Sequence, residues 1–278
     1  MVDDVYAELA EGFDRVASGW EKWQSVTGQR NAARYFDAAA IKPGDRVLEI
    51  GAGTGDQTLP LARLVGMQGR VHAVDLSSEM LAVTQRRVHH AGLDNVDFDV
   101  GTVGALALEP GSFDAAVSGF TWLFLPDPVA EAALLHRVLR PRGRFAASVW
   151  RPASEVPMMA VPMTAVLTGL GIDPLERLEA TPMPLSDPDD FGNVWIEAGF
   201  EDVTVDEYGV DLTYETADRF ADWVFDIVLP IGALIDEHAP GRQDEFHAMI
   251  AAAAATHADS DGTVTLSNPA LMASGRAR

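Results

Sequence analysis

The chain has no cysteine and only two lysines, Lys22 and Lys42, among its 278 residues. The first absence excludes disulfides, thiolate metal ligands and a cysteine nucleophile. The second leaves positive charge almost wholly to arginine, and there is little of it. Asp and Glu number 42 against 20 Lys and Arg, a formal net charge of −22. Such a surface repels phosphate backbones and anionic headgroups, so neither nucleic acid nor a membrane surface is expected as a partner. No apolar run approaches the ~20 residues that cross a bilayer. The opening MVDDVYAELAEGFD is acidic and amphipathic rather than basic and then apolar, which is not the pattern of a secretory leader. The expectation is a cytoplasmic protein, monomer or homodimer. The seven histidines fall into no metal-ligand spacing with the carboxylates, so no metal is expected.

Apolar residues make up 47% of the chain, enough for a substantial core. Residues 3–40 read as a helical cap of two or three helices, with Val5, Leu9, Phe13 and Val16 at helical spacing and Gly12, Gly19 and Gly28 as interruptions. Strands are predicted at 46–50, 71–75, 96–100, 113–118 and 144–150. Helices at 57–65, 79–91 and 128–138 lie between them, the second capped by Ser77 or Ser78. Strands alternating with helices imply an α/β fold with a doubly wound, mostly parallel sheet. After Trp150 the rhythm changes. A Pro- and Met-rich stretch at 152–184 precedes a helix at 187–199 and a long strand at 200–212. Residues 215–257 are helical again, and 262–266 with 270–277 form a last strand.

The best chemical signal is Gly51-Ala52-Gly53-Thr54-Gly55, between a buried strand and a helix. Alternate glycines let the backbone turn sharply and approach a ligand, and the helix start offers free N–H groups. Asp75, about twenty residues on at the end of the next strand, is placed to accept ribose hydroxyls. Loop and acid together predict a nucleoside cofactor. The dinucleotide fingerprint Gly-x-Gly-x-x-Gly leaves room for a pyrophosphate. Here the spacing is Gly-x-Gly-x-Gly, followed by Asp56, and Glu49 stands just before it. A carboxylate there opposes pyrophosphate and suits an ammonium and a sulfonium. This favours S-adenosylmethionine (SAM) over NAD.

At these residues the chain resembles the class I SAM-dependent methyltransferases, closest to the ubiquinone/menaquinone-biosynthesis-like (methyltransferase type 11) branch. Residues 47–55 resemble the first motif of that family and 74–81 the second; 111–118 and 139–144 resemble the fourth and fifth. The resemblance implies a Rossmann-like seven-stranded sheet forming a single domain. Its parts would be a helical cap over 1–40, a SAM-binding core over 41–150, helical lid insertions at 152–184 and 215–257, and a last strand at 262–277. It implies that Glu49, Gly51, Ala52, Gly53, Thr54, Gly55 and Gln57 hold the methionyl part of SAM and that Asp75 binds the ribose. Leu76 and Met80 would flank the adenine, and Ser118 would border the transferred methyl. The third motif departs from pattern: Gly101-Thr102-Val103 stands where the family has Gly-Asp-Ala, so Thr102 would replace a carboxylate at the adenine amine.

Methyl transfer is an in-line displacement that proceeds largely by positioning, and a base is needed only if the acceptor must lose a proton. His238 and His247, on the second insertion, are candidates for that base. Met158, Met159, Met163 and Met183, with Trp20, Trp23, Phe120, Trp122 and Trp223, are candidates for an apolar acceptor pocket. The same residues also suit simple packing of a lid. The predicted reaction is methylation of oxygen or carbon on a hydrophobic small molecule, in natural-product metabolism. The alternatives are a SAM-binding cyclase that keeps the methyl, and an NAD-dependent oxidoreductase.

Overall fold

The computed structural model describes residues 2–23, 31–179 and 183–278. Seven strands form one sheet: β1 (Arg46–Ile50), β2 (Arg70–Asp75), β3 (Val96–Val100), β4 (Phe113–Gly119), β5 (Leu139–Trp150), β6 (Glu201–Tyr214) and β7 (Val264–Arg276). Their order is β3-β2-β1-β4-β5-β7-β6. The first five are parallel, and β7 runs antiparallel to both β5 and β6. The fold is thus a Rossmann-like, mostly parallel seven-stranded sheet, as expected from the sequence. The order reverses between β1 and β4, and in such sheets ligands bind at that switch point, beyond the carboxyl ends of the strands.

Helices cover both faces, so central strands are apolar on both sides. Val47, Leu48 and Ile50 of β1 are all buried. One core lies under α2 (Ala32–Ala38) and α3 (Thr58–Val65). The other lies under α5 (Pro128–Val138) and α8 (Pro188–Glu197) and centres on Trp195. The helix starts are set locally. Ser77 Oγ accepts from Met80 N at the head of α4 (Ser78–His90). Asp127 and Asp187 do the same for α5 and α8, each followed by proline in the first turn.

Three expectations need correction. Gly12 and Gly19 do not break the first helix; α1 runs unbroken from Val2 to Lys22, and Gly28 lies outside the described residues. A Cβ on Gly19 would strike the Asp226 backbone, so this glycine serves a close tertiary contact that outweighs its poor helix propensity. Strand β5 starts at Leu139 rather than Arg144, with a register shift against Phe113 and Ala115. The last strand is one continuous run through Pro269.

Strands β6 and β7 outrun β5. Residues 270–276 of β7 pair with β5, whereas 264–269 run past β5 and pair with β6, with a further bridge from Val264 to Ala258. The helices of both predicted insertions cluster on this overhang: α6 (Pro157–Gly169), α7 (Pro174–Glu179), α9 (Ala217–Ile227), α10 (Leu229–His238) and α11 (Gln243–Ala254). Fully buried Asn268 joins the parts. Its Nδ2 donates to Val210 O and Leu266 O at 3.0 and 2.9 Å, and its Oδ1 accepts from Met158 N at 2.8 Å. Among the described residues no helix is long and apolar enough to cross a membrane.

Candidate active site

The loop after β1 is fixed from below and from the side. The N–H groups of Gly51 and Ala52 donate to Val74 O at 2.8 and 3.1 Å. Gly51, Gly53 and Gly55 all have positive φ. At Gly51 (φ +74°) a Cβ would also run into the Thr121 side chain, so this turn admits no larger residue. Asp75 ties the loop to the next strand: one carboxylate oxygen accepts from Gly53 N at 2.8 Å and the other from Ser77 N at 2.9 Å. Burial raises the Asp75 pKa, the Ser77, Gly53 and Leu76 amides oppose the rise, and nearby Asp14 adds to it.

Glu49 is the least satisfied group here. It is 2% exposed, and its Oε2 has no hydrogen-bond partner. Burial pushes its carboxyl up to about 8; the Thr58 hydroxyl opposes this, and the charges of Asp75 and Asp56 reinforce it. Asp56 is itself raised by burial, opposed by Arg87, which it meets at 2.9 Å. Three carboxylates thus surround one loop with one guanidinium between them. The missing complement is a cation. An ammonium-bearing nucleoside fits this donor set: Glu49 Oε2 for the cation, Asp75 for the ribose.

At the end of β4, Ser118 Oγ donates to Ile50 O at 3.0 Å and so joins β4 to β1, and Gly119 follows it. Gly119 pairs in register with Ser148. Phe120 follows at φ +58°, its ring stacked on Trp150 with centroids 3.8 Å apart. Beside Gly119 lies a buried hydroxyl cluster. Tyr35 Oη is in short contact with Ser148 Oγ and lies 3.3 Å from Tyr208 Oη. Burial holds both phenols above their usual range, so both stay protonated.

At the opposite end, α1 lies across α4. Asp14 accepts from Ser77 Oγ at 2.5 Å and Glu79 N at 3.2 Å, and Met80 is buried under Val16, Ala17 and Trp20. Thr102 Oγ1 accepts from Ala105 N at 3.2 Å. The carboxylate in this region is Glu131, 8% exposed, which meets the Thr102 side chain, the Gly104 N–H and Tyr6 Oη. Glu131, on α5, thus brings a carboxyl beside Thr102.

The structure brings together Glu49, the residues from Gly51 to Gly55, Gln57, Asp75 and Ser118 at the switch point. Leu76 follows Asp75, half-buried, and Gly101 N bonds to Asp75 O at 2.9 Å. Others lie elsewhere. Val103 is a core residue, and Trp122 is buried in the second core against Trp195, centroids 4.4 Å apart. Both are drawn there by the room for apolar bulk between α5 and α8. Trp23 is pinned by Asp226 at 2.7 Å under the Arg219 guanidinium, and Trp223 packs on Phe220 and Tyr214. Met158 is buried and Met159 half-buried beneath the insertion helices. His238 is exposed beside Leu234 O, and His247 bonds Asp222 at 2.9 Å, so both histidines are engaged within the insertion. Among the described residues no His, Asp and Glu cluster could hold a metal. The reading from sequence missed Asp14, Tyr35, Glu131, Ser148 and Tyr208. Tyr35 was visible only as aromatic bulk on a helix, and the rest carried no local signal.

Comparison with known proteins agrees with this geometry. Residues 47–143 match a family model described as a methyltransferase domain. A demethylmenaquinone methyltransferase of Bacillus cytotoxicus is 31% identical over 143 residues, covering 51% of this chain and 59% of the relative. The chain thus spans about three-fifths of that relative's length. A demethylmenaquinone methyltransferase of Geobacillus kaustophilus is 26% identical over 70% of this chain and 89% of its own. Among solved structures, the [4+2]-cyclase SpnF superposes with a TM-score of 0.61 over 97% of this chain and 96% of its own, at 16% identity, a likeness of fold alone. Glycine loop, ribose-side acid and orphan carboxylate all lie within the matched stretch: residues 47–143 are similar to a methyltransferase domain, and the fold is the Rossmann-like seven-stranded sheet of the solved structure it superposes on.

Proposed function

We propose that the protein transfers the methyl group of SAM to oxygen or carbon of a hydrophobic small molecule. The observation that carries the reading is Glu49 Oε2, a buried carboxylate oxygen without a partner at the mouth of the glycine loop. SAM supplies an electrophilic methyl on a sulfonium, together with an ammonium. The protein's own residues do the positioning. Glu49 neutralises the cation, Asp75 holds the ribose, and Gly51 admits the backbone turn that leaves room for both. The half-buried Phe120–Trp150 stack beside Gly119 offers an apolar wall to an acceptor, and the relatives act, by their names, on a demethylmenaquinone. Insertion helices α6 and α9–α11 serve as the lid over that wall. We place the acceptor in secondary metabolism and the protein in the cytoplasm. The test is incubation with SAM and demethylmenaquinol or other aromatic and polyketide hydroxy compounds. Release of S-adenosylhomocysteine (SAH) with a matching gain of one methyl in the acceptor is expected. Acceptor conversion without SAH would instead mean a cyclase.

Glu49 gives this reading a pH signature. Its folded pKa of about 8 lies above the ordinary 4.5, so at pH 7 the unliganded carboxyl holds a proton. A bound ammonium favours the carboxylate, so binding expels that proton. SAH affinity should therefore rise with pH towards 8 and then level. Titration calorimetry at pH 7, in buffers of different ionisation enthalpy, should show release of about one proton, absent in Glu49→Gln. The unliganded protein follows the same linkage with the opposite trend. Because the folded state binds this proton more tightly than the unfolded chain, the stabilisation is full below about pH 4.5 and is lost as pH rises through 8.

A further inference from the structure

A cavity of about 210 Å³ opens at the amino ends of β1, β4 and β5, the end of the sheet remote from the glycine loop. Lys42, Asp45, Asp114, Arg140, Arg142 and Arg144 line it. The lining thus carries two more positive than negative charges, in a chain with a net charge of −22. Both carboxylates are engaged. Asp45 accepts from Lys42 N at 2.8 Å; Asp114 accepts from Arg46 N at 2.7 Å and pairs with Arg140 Nη1 at 2.5 Å. Among the described residues nothing pairs with the Lys42 ammonium or with the guanidinium groups of Arg142 and Arg144.

Assembling this group distorts the chain. Leu139 pairs with Phe113 and Arg144 with Ala115, so two steps along β4 face five along β5. The surplus residues bulge outward and bring three arginines to one place. Of the five non-glycine residues with positive φ among the described residues, Ala40 (+47°) and Arg142 (+66°) both line the cavity. Arg142 stands where glycine is the unstrained choice. Its turn is locked by Arg142 N on Ala277 O at 3.0 Å and Ala277 N on Gly143 O at 2.8 Å. Strained residues gathered at one place point to a use for their side chains.

We infer that this cavity binds a small dianion, the phosphoryl group of free phosphate or of a phosphomonoester. Arg142 and Arg144 hold its oxygens through charge-assisted hydrogen bonds, and Lys42 adds a third cation. The excess of two positive charges matches a phosphoryl dianion. The rest of the surface limits the ligand's size. The Debye length at physiological ionic strength is about 8 Å, so a small anion feels the cluster alone, whereas a long polyanion reaches acidic surface and is repelled. The site is separate from methyl transfer and does not depend on it.

The test is a phosphorus-31 NMR titration with inorganic phosphate and with phenyl phosphate at about pH 8, where both are dianions, at an ionic strength held constant with chloride. The wild type should shift both resonances saturably. Equal affinities assign the site to free phosphate, and tighter phenyl phosphate assigns it to a monoester. Arg142→Gly and Arg144→Gln should each weaken binding about tenfold or more. Arg63→Gln, at an exposed arginine of α3, should leave it within about twofold. Arg142→Gly should melt no lower than the wild type, because glycine relieves the left-handed backbone, so its lost binding is not lost folding. No saturable shift in the wild type would overturn the inference. So would binding that survives in both Arg142→Gly and Arg144→Gln, or that Arg63→Gln weakens equally, since the anion would then answer to general charge.

Discussion

Asp75→Ala should weaken SAH binding by about a hundredfold and lower the stability of the unliganded protein by about 2–4 kcal/mol. The two effects share one cause. The Asp75 carboxylate accepts from the Gly53 and Ser77 amides, and in the proposed reading it also holds the ribose. Removing it strands two amides in a half-buried site and deletes the sugar contact. Asp75→Asn separates the terms. Asparagine keeps one acceptor oxygen, so one amide stays satisfied while the other faces an NH₂ group. Its stability should fall between wild type and Asp75→Ala, with most of the affinity still lost. Calorimetric titration with SAH and urea denaturation read the two terms independently. An SAH affinity unchanged in Asp75→Ala would mean that the ribose contact lies elsewhere.

Trp195→Ala should cost about 3–5 kcal/mol, and Trp195→Phe no more than about 1.5. Trp195 is fully buried. It stacks on Phe145 with centroids 3.9 Å apart and meets Trp122, Phe191 and Phe200 edge-on. Alanine leaves a cavity that this aromatic cluster cannot fill by small movements. Phenylalanine keeps most of the contact area and removes an indole N–H that has no partner. Both variants should bind SAH as the wild type does while folded, because Trp195 packs in the second core, away from the glycine loop. A drop in the thermal midpoint of Trp195→Phe as large as that of Trp195→Ala would mean that the indole nitrogen is satisfied after all.

What was legible in the sequence was whatever obeys local rules. Residues 46–55 show a buried strand running into glycines that the turn requires, and Asp75 closes the next strand at the expected distance. Both rest on neighbours a few positions apart. Gly19 and Pro269 show where local rules gave way. Glycine in α1 is tolerated because the Asp226 backbone needs the space. Proline in β7 is tolerated because it stands where pairing with β5 stops, and its carbonyl accepts from Arg151 N at 3.2 Å. The hydroxyl cluster was beyond reach in principle. Tyr35 finds its partners 113 and 173 positions away, and no periodicity encodes that meeting. Glu131 is similar: it reaches Thr102 and Gly104 from a helix that lies outside the third motif.

The overhang of β6 and β7 has a bearing on how such a protein changes over generations. The glycine loop and Asp75 are built on β1 and β2, whereas α6 and α9–α11 gather on a ribbon fastened by Asn268. Mutations in those helices alter surfaces that the glycine loop never touches, so drift there is shielded from selection on cofactor use. A lineage of this architecture can try new helices on the ribbon while the parallel strands stay as they are, and Asn268 is the position at which such grafts would have to stay compatible.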